Sequence, residues 1–296
     1  MRFTHIPCGC IVGAMNYQNL SSGDEIRAFA NRIKQNGRAV IALDFEGEFN
    51  LHVYGEKLCL IQIHDGEKPL IIDPLKADLG AVKSLLEDDK ILKIMWDASS
   101  DISLIVNGYD MTIKSVLDLR PAADILDLPK RDYASVLGEL LGIATKSNKS
   151  KFQRYNWLRR PIDEDAINYA LEDVLHLHQL RDEILKRVYE VGRMEEFIHQ
   201  NIIVQNRDYL RKPGQRHKKM KGYRYLNKQE QQRLKELFEL RDGHARELNW
   251  PPHRVIPNQE LMELARGGMR PEEIRFDRSL KGGKRNEIIE SLKKTT

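Results

Sequence analysis

Asp44 and Glu46 stand two residues apart at the end of the apolar run Val40-Ile-Ala-Leu-Asp-Phe45. If that run is a strand, alternation puts both carboxylates on one face. Acids side by side at the end of a buried strand are costly unless something neutralises them. About 55 residues on, the apolar Ile91–Met95 leads into Trp96-Asp-Ala-Ser-Ser-Asp101. Asp101 then falls in the first turn of a helix, where the macrodipole favours an acid, with Asp97 and Ser99 as its caps. About 70 residues further, Tyr169-Ala-Leu-Glu-Asp173 sets Tyr169 and Asp173 one helical turn apart, among Ile167, Ala170, Leu171 and Val174. Glu172 points to solvent. Taken singly, Glu46 reads as an acid that has left its strand, and Asp101 as an ordinary helix-start acid. Their ordered combination with Asp44, Asp173 and Tyr169 is what carries weight.

These side chains need elements to hold them. Ser22-Gly-Asp-Glu25 opens a helix, capped by Ser22 or Asp24, whose apolar face is Ile26, Phe29, Ala30 and Ile33 and which stops at Gly37. Val40–Phe45, Leu58–Ile63 and Pro69–Asp73 read as three strands of a meander, with turns near Gly55 and Gly66. Ala81–Leu86 is helical, Ile91–Met95 a short strand, Ser99–Val106 a helix, and Ser115–Asp118 a further strand. After it come helices over Ala134–Leu141, one long helix over Glu164–Arg187, and another from Met194 to Gln205 or beyond. Strands first and helices later predict an α/β fold with a mixed sheet flanked by helices. Leu226–Asn249 is helical, Trp250-Pro-Pro252 breaks it, and shorter helices follow in a small all-α module.

Composition narrows the classes. The chain has 296 residues, 48 Lys+Arg, 44 Asp+Glu and 41% hydrophobic residues, enough apolar content for a buried core. At roughly 100–200 residues per domain, two domains fit. No apolar run reaches the roughly 18 residues of a membrane span. Ile6–Met15 is short and interrupted by Pro7, Gly9 and Gly13, and no small-residue cleavage site follows, which argues against a signal peptide. Three cysteines argue against a disulfide framework and for a reducing, cytoplasmic setting, with Cys8 and Cys10 as ordinary thiols. Charge is uneven: residues 201–296 hold 23 Lys+Arg against 13 Asp+Glu, leaving 25 against 31 in residues 1–200. A basic rear suggests a polyanionic partner, and an acidic front suggests bound cations.

The motifs resemble those of a known family. D-x-E on a strand, a helix-start Asp and Y-x-x-x-D on a late helix, in this order, resemble the DEDD exonuclease superfamily, and the flanking residues resemble its ribonuclease D branch. Leu58–Ile63 with Ile72-Asp-Pro74 is similar to that branch's first hairpin, and Leu137 with Leu141-Gly142 to the helix before its third motif. Trp157-Leu-Arg-Arg-Pro161, Tyr169-Ala and Asp173-Val174 are similar to its W-x-x-R-P and Y-A-x-x-D-V signature. The likeness covers about Tyr17 to Val188. Where relatives often carry His-Ala, this chain has Trp96-Asp97, which leaves Asp97 as an extra acid without a role. Asn168 and Tyr169 place the chain in the tyrosine subtype.

The resemblance implies a ribonuclease H-like core and a 3′→5′ exonuclease with two Mg²⁺ or Mn²⁺ ions held by Asp44, Glu46, Asp101 and Asp173. Hard oxygen donors suit these ions, and a pair of them roughly 3.5–4 Å apart can steady both the attacking and the leaving oxygen of a phosphodiester. Tyr169 orients the attacking water; its ordinary pKa of about 10 disfavours it as a base. Without cations the acids repel, by about 3 kcal/mol for two charges about 5 Å apart at an effective dielectric of about 20. Arg159 and Arg160 are candidates to meet a phosphate, Arg160 equally to pair with an acid.

Leu226–Thr296 resembles the HRDC domain that follows the nuclease in ribonuclease D and in some helicases, through Leu237-Phe-Glu-Leu-Arg241, Ala245-Arg246, Asn249, Pro251-Pro252, Val255–Asn258 and Leu261–Ala265. The expected organisation is a nuclease domain over 1–205, a basic linker over 206–225 and a helical nucleic-acid-binding domain over 226–296. Eight Lys or Arg fall within 207–224, and Arg211, Lys212, Lys218 and Lys219 are expected to contact phosphates without sequence choice. Tyr209, Tyr223 and Tyr225 either stack on unpaired bases or cover apolar surface. The resemblance implies RNA with single-stranded 3′ ends, such as tRNA precursors, as substrate. A catalytically inactive RNA-binding protein with a nuclease fold, or a DNA 3′→5′ exonuclease, are the alternatives; the intact acids and Tyr169 argue against the first, and the rear module against the second.

Overall fold

The computed structural model describes residues 15–35, 37, 39–144, 149–211 and 214–295. Cys8, Cys10 and most of Ile6–Met15 therefore lie outside the described residues, as does Lys212. Among the described residues six strands form one sheet in the order β1-β4-β3-β2-β5-β6. They are β1 (Gln18–Asn19), β2 (Val40–Phe49), β3 (Glu56–His64), β4 (Pro69–Ile72), β5 (Leu92–Met95) and β6 (Val116–Asp118). β2, β3 and β4 pair antiparallel as the expected meander, while β1 on β4, β5 on β2 and β6 on β5 are parallel.

On one face of the sheet lie α1 (Gly23–Gln35), α2 (Leu79–Leu86) and α3 (Ser99–Tyr109). Ile26, Phe29 and Ile33 of α1 and Ile41, Leu43 and Phe45 of β2 share the core on this side. The other face carries α4 (Pro121–Ile125), α5 (Tyr133–Leu141), the short α6 (Lys149–Phe152), α7 (Glu164–Leu175) and α8 (Leu177–Glu190), followed by α9 (Met194–Asn206). Ala42 of β2, Cys59 and Leu60 of β3 and the apolar faces of α5, α7 and α8 form the second core. The alternation of β2 thus sends Asp44 and Glu46 towards α7 while Phe45 points the opposite way.

The single helix expected over Glu164–Arg187 is two. His176 leaves the helical region, at φ −108° and ψ 1°, between α7 and α8. The bend lets α7 cross β2 and β3 while α8 packs on α5 and β5. No Gly or Pro marks it, so the apolar periodicity runs through unbroken.

The edge strand β6 is closed by side chains. Asn201 and Gln205, one turn apart on α9, accept from the backbone N–H groups of Asp118 (2.7 Å) and Val116 (2.9 Å). Two amides on a helix thereby satisfy donors that a neighbouring strand would otherwise take.

The rear module contains α10 (Lys228–Leu248), α11 (Pro252–Val255), α12 (Asn258–Arg266) and α13 (Gly282–Lys293) around its own core of Leu234, Leu237, Leu261, Leu264, Ile288 and Leu292. Asn227 and Glu230 start α10 with a reciprocal capping box. Among the described residues no helix is long and apolar enough to cross a membrane.

Candidate active site

β2 does not end at Phe45. It runs to Phe49, and its register shifts after Glu46: Glu46 lies opposite Leu60 and Gly47 opposite Leu58, leaving Cys59 as an extra residue on β3. Glu46 is therefore still in the sheet, on the same face as Asp44. The bulge re-aims the strand next to the acids, a common device beside active sites. From α7, Asp173 meets them: carboxylate oxygens of Asp44, Glu46 and Asp173 all lie within 4.8 Å of one another.

Asp101 enters from the opposite layer, in the first turn of α3, which follows the carboxyl end of β5. It stands outside that close triplet but acts electrostatically on both Asp44 and Glu46. The start of α3 differs from expectation. Neither Asp97 nor Ser99 caps it, and the helix has no side-chain cap; Asp118 of β6 instead holds the turn leading into it, accepting from the N–H of Asp97 (2.8 Å) and of Ala98 (3.1 Å). Asp97 is exposed in a left-handed conformation (φ 57°), one that Asn and Asp adopt more readily than other side chains. Asp118 was invisible as a functional residue because the contact spans 21 positions and a strand end.

The charges acting most strongly on these acids are other carboxylates. Burial, then Asp101, Asp173 and Glu46, push Asp44 well above the ordinary carboxylate range. Burial, Asp173 and Asp101 do the same to Glu46. Burial together with Asp97 and Asp118 pushes Asp101 up to about 8. Such groups share protons or take up cations. The donor set is all carboxylate oxygen, which fits a hard divalent ion.

Tyr169 sits one turn before Asp173 on the same face of α7. Burial and the charges of Asp173, Glu46 and Asp44 all raise its phenol above 10, so it stays protonated at neutral pH. Phe152 stacks on its ring, centroids 4.9 Å apart. No periodicity announces this contact, since α6 is a four-residue helix.

Of the expected phosphate contacts, Arg159 remains largely exposed, 3.5 Å from Asp163. Arg160 takes the alternative role. Its Nε and Nη2 donate to Asp73 at 2.8 and 2.7 Å, Nη2 also to the Cys59 carbonyl at 2.6 Å, and Nη1 to the carbonyls of Trp157 and Arg159 at 2.6 and 2.8 Å. All five N–H donors of a guanidinium are then used, which leaves none for a phosphate. Arg211 donates to Glu56 at 2.5 Å, while Lys218 and Lys219 are exposed. The basic stretch does not run free: Arg207 reaches Ser99 and Asn107 holds the Tyr209 carbonyl, so residues 207–211 lie along α3. Tyr209 and Tyr223 cover apolar surface, one on each core. Tyr225 is 70% exposed.

A sequence model of the 3′-5′ exonuclease family matches residues 17–189, and one of the HRDC domain matches residues 230–273. The chain belongs to the 3′-5′ exonuclease family. Among curated relatives of this exonuclease, ribonuclease D of Desulfotalea psychrophila is 29% identical over 269 residues, covering 88% of this chain and 70% of that one. Ribonuclease D of Cronobacter turicensis is 27% identical over 236 residues, covering 78% of this chain and 63% of that one. The chain thus spans about two thirds of the length of these relatives. The crystal structure of Escherichia coli RNase D, described as an exoribonuclease involved in structured RNA processing, superposes with a TM-score of 0.74 at 24% identity, over 95% of this chain and 75% of that one. That likeness establishes the fold. The exonuclease match contains all four acids and Tyr169, and ends before the basic stretch begins.

Proposed function

We propose that the protein is a divalent-metal-dependent 3′→5′ exoribonuclease that trims the 3′ ends of structured RNA such as tRNA precursors. The observation that carries this reading is the meeting of Asp44, Glu46 and Asp173 within 4.8 Å, with Asp101 and Tyr169 beside them.

Asp44, Glu46, Asp101 and Asp173 would hold Mg²⁺ or Mn²⁺. Bound there, the ions supply charge neutralisation for the phosphate and lower the pKa of water. The chain's own residues do the rest. Asp44 belongs to the triplet and is the carboxylate on which Asp101, Asp173 and Glu46 all act electrostatically. Tyr169, kept neutral by burial and by its acidic neighbours, hydrogen-bonds the attacking water and leaves proton removal to other groups. Phe152 fixes the phenol's plane. Exposed Lys218 and Lys219 offer phosphate contacts that add affinity without sequence choice. The HRDC-like module serves as an auxiliary grip on the RNA.

The test is digestion of 3′-labelled and 5′-labelled RNA and DNA with Mn²⁺ and with EDTA. Stepwise release from the 3′ end of RNA, abolished by EDTA, is expected. Binding without cleavage would make the protein an inactive RNA binder, and preference for DNA would reassign the substrate.

A further inference from the structure

Two buried polar side chains beside the carboxylates have donors with no acceptor among the described residues. Gln62 is completely buried, and neither Nε2 nor Oε1 has a hydrogen-bond partner among the described residues. It is the one amide in the apolar run Leu58–Ile63. The pairing of β2 with β3 puts Gln62 directly opposite Asp44. Residues so paired share a face, with Cβ atoms about 4.5–5.5 Å apart. On its other side Gln62 faces Ile71 of β4, which offers no polar atom from its side chain. Asp44 is thus the polar side chain set directly across the ladder from it.

Tyr133, at the start of α5, is the second case. The residue is 7% exposed, and its buried hydroxyl donates to no partner among the described residues, the His176 N–H facing it as a donor. The ring packs against Trp96 at 5.7 Å. The charged groups acting most strongly on the phenol are Asp173 and then Asp44. A free amide and a free hydroxyl are both strong donors, and native interiors rarely leave such groups without a partner unless a site makes use of them.

We infer that Gln62 and Tyr133 are positioning residues: in the cation-loaded site the Gln62 amide would donate to Asp44 and the Tyr133 hydroxyl to Asp173, fixing how those carboxylates are oriented. This rests on the metal-dependent reading above. Neither side chain touches the cation or the RNA. Their action is that of the outer hydrogen bonds that orient metal ligands, whose loss typically weakens metal affinity or activity 10–100-fold.

The experiment is titration of the full chain with Mn²⁺ alone, without RNA, for wild type, Gln62→Met and Tyr133→Phe, read by calorimetry and by the melting temperature. Each substitution removes a donor and keeps the size of the side chain. The expected result is an apo melting temperature unchanged or higher, because a buried polar group without a partner is gone, with Mn²⁺ affinity weakened about 10–100-fold. Hydrolysis by the variants should recover as Mn²⁺ is raised. Variants that bind Mn²⁺ as tightly as wild type would overturn the inference while leaving the nuclease reading in place. A wild-type chain that binds no Mn²⁺ would overturn that reading, and the inference with it. If Gln62→Met fails to fold, Tyr133→Phe, the loss of one oxygen atom, decides the matter.

Discussion

The hydroxyl of Tyr54 donates to a carboxylate oxygen of Asp242 at 2.6 Å, joining the β2–β3 loop of the nuclease to α10 of the rear module. Arg246 lies over the same ring at 5.7 Å, and its guanidinium is 3.5 Å from Asp242. The loop is built to present Tyr54. The buried Glu48 carboxylate accepts from the N–H of Leu51 and of His52 and bonds the His52 ring at 2.9 Å, while Asn50 and Gly55 bond each other. Tyr54→Phe should therefore loosen the junction without melting either unit. The lost bond to a carboxylate is worth about 1.5–3 kcal/mol. Faster amide exchange in residues 50–55 and along the exposed face of α10, with exchange in the β2 core unchanged, would be the signature. An exchange pattern identical to wild type would mean that the bond does not hold the two units together.

Arg160 ties Trp157, Asp73 and the bulge at Cys59 into one knot behind the site. Burial works against the Asp73 carboxylate, yet the Arg160 hydrogen bonds hold it below its ordinary value. Arg160→Ala should destabilise the protein by about 1–3 kcal/mol, because it leaves a half-buried carboxylate without its partner. The pair's contribution is present above the unfolded Asp pKa and fades as pH falls through the lower folded value, so the gap between wild type and variant in thermal melts should narrow in acid. RNA affinity of the folded variant should be unchanged. A drop in affinity with normal stability would restore the phosphate role.

The acid cluster predicts an unusual pH response. Asp44, Glu46 and Asp101 are all raised in the folded state, Asp101 to about 8. The folded apo protein then binds more protons than the unfolded chain between about pH 4 and 8, so these groups make stability fall as pH rises through that window. Divalent cations displace those protons, and the Mn²⁺-induced rise in melting temperature should be larger at pH 8 than at pH 5.5. Asp44→Asn should abolish hydrolysis yet leave the apo protein as stable as wild type or more so at pH 8. Marked destabilisation of metal-free Asp44→Asn in calorimetry would contradict the picture of a repulsive apo site.

Lys218 and Lys219 carry the prediction for the rear half. Both are exposed beside the junction, where Tyr225 also stands free with Arg224 over its ring at 4.7 Å. Replacing both lysines by Ala should weaken RNA binding evenly across sequences and lower the slope of log affinity against log salt by about 1–2. An unaltered slope would show that RNA does not pass this surface.

Much of this was legible in the residues. The strand alternation that pairs Asp44 with Glu46, the first-turn place of Asp101 and the helical spacing of Tyr169 and Asp173 are local rules, and each holds. What escaped depends on contacts distant in sequence. Asp118 holds the turn before α3 from another strand, Arg160 spends its donors on Asp73 at a separation of 87 positions, and the bend at His176 has no breaker residue to announce it. Gln62 left one trace, a single amide in an apolar strand, but the reason for it appears only once Asp44 is placed opposite.

Phe152 and Tyr169 supply the sharpest test of how the site is held. The two rings stack at 4.9 Å with planes 26° apart, and Phe152 is buried. If Tyr169 works by orienting water, its effect depends on where the phenol points, and misplacement by about 1 Å can cost about 100-fold. Tyr169→Phe should thus lower kcat by about 100-fold with little change in Mn²⁺ affinity. Phe152→Leu keeps most of the buried volume but loses the flat contact, so it should lower kcat by a smaller factor while leaving KM for RNA near wild type. The double variant decides between the roles: if Phe152 acts only through Tyr169, adding Phe152→Leu to Tyr169→Phe should cost nothing further in kcat. Multiplying losses would mean that Phe152 serves the reaction by a separate route, through the packing of α6 against α7 and not through the phenol.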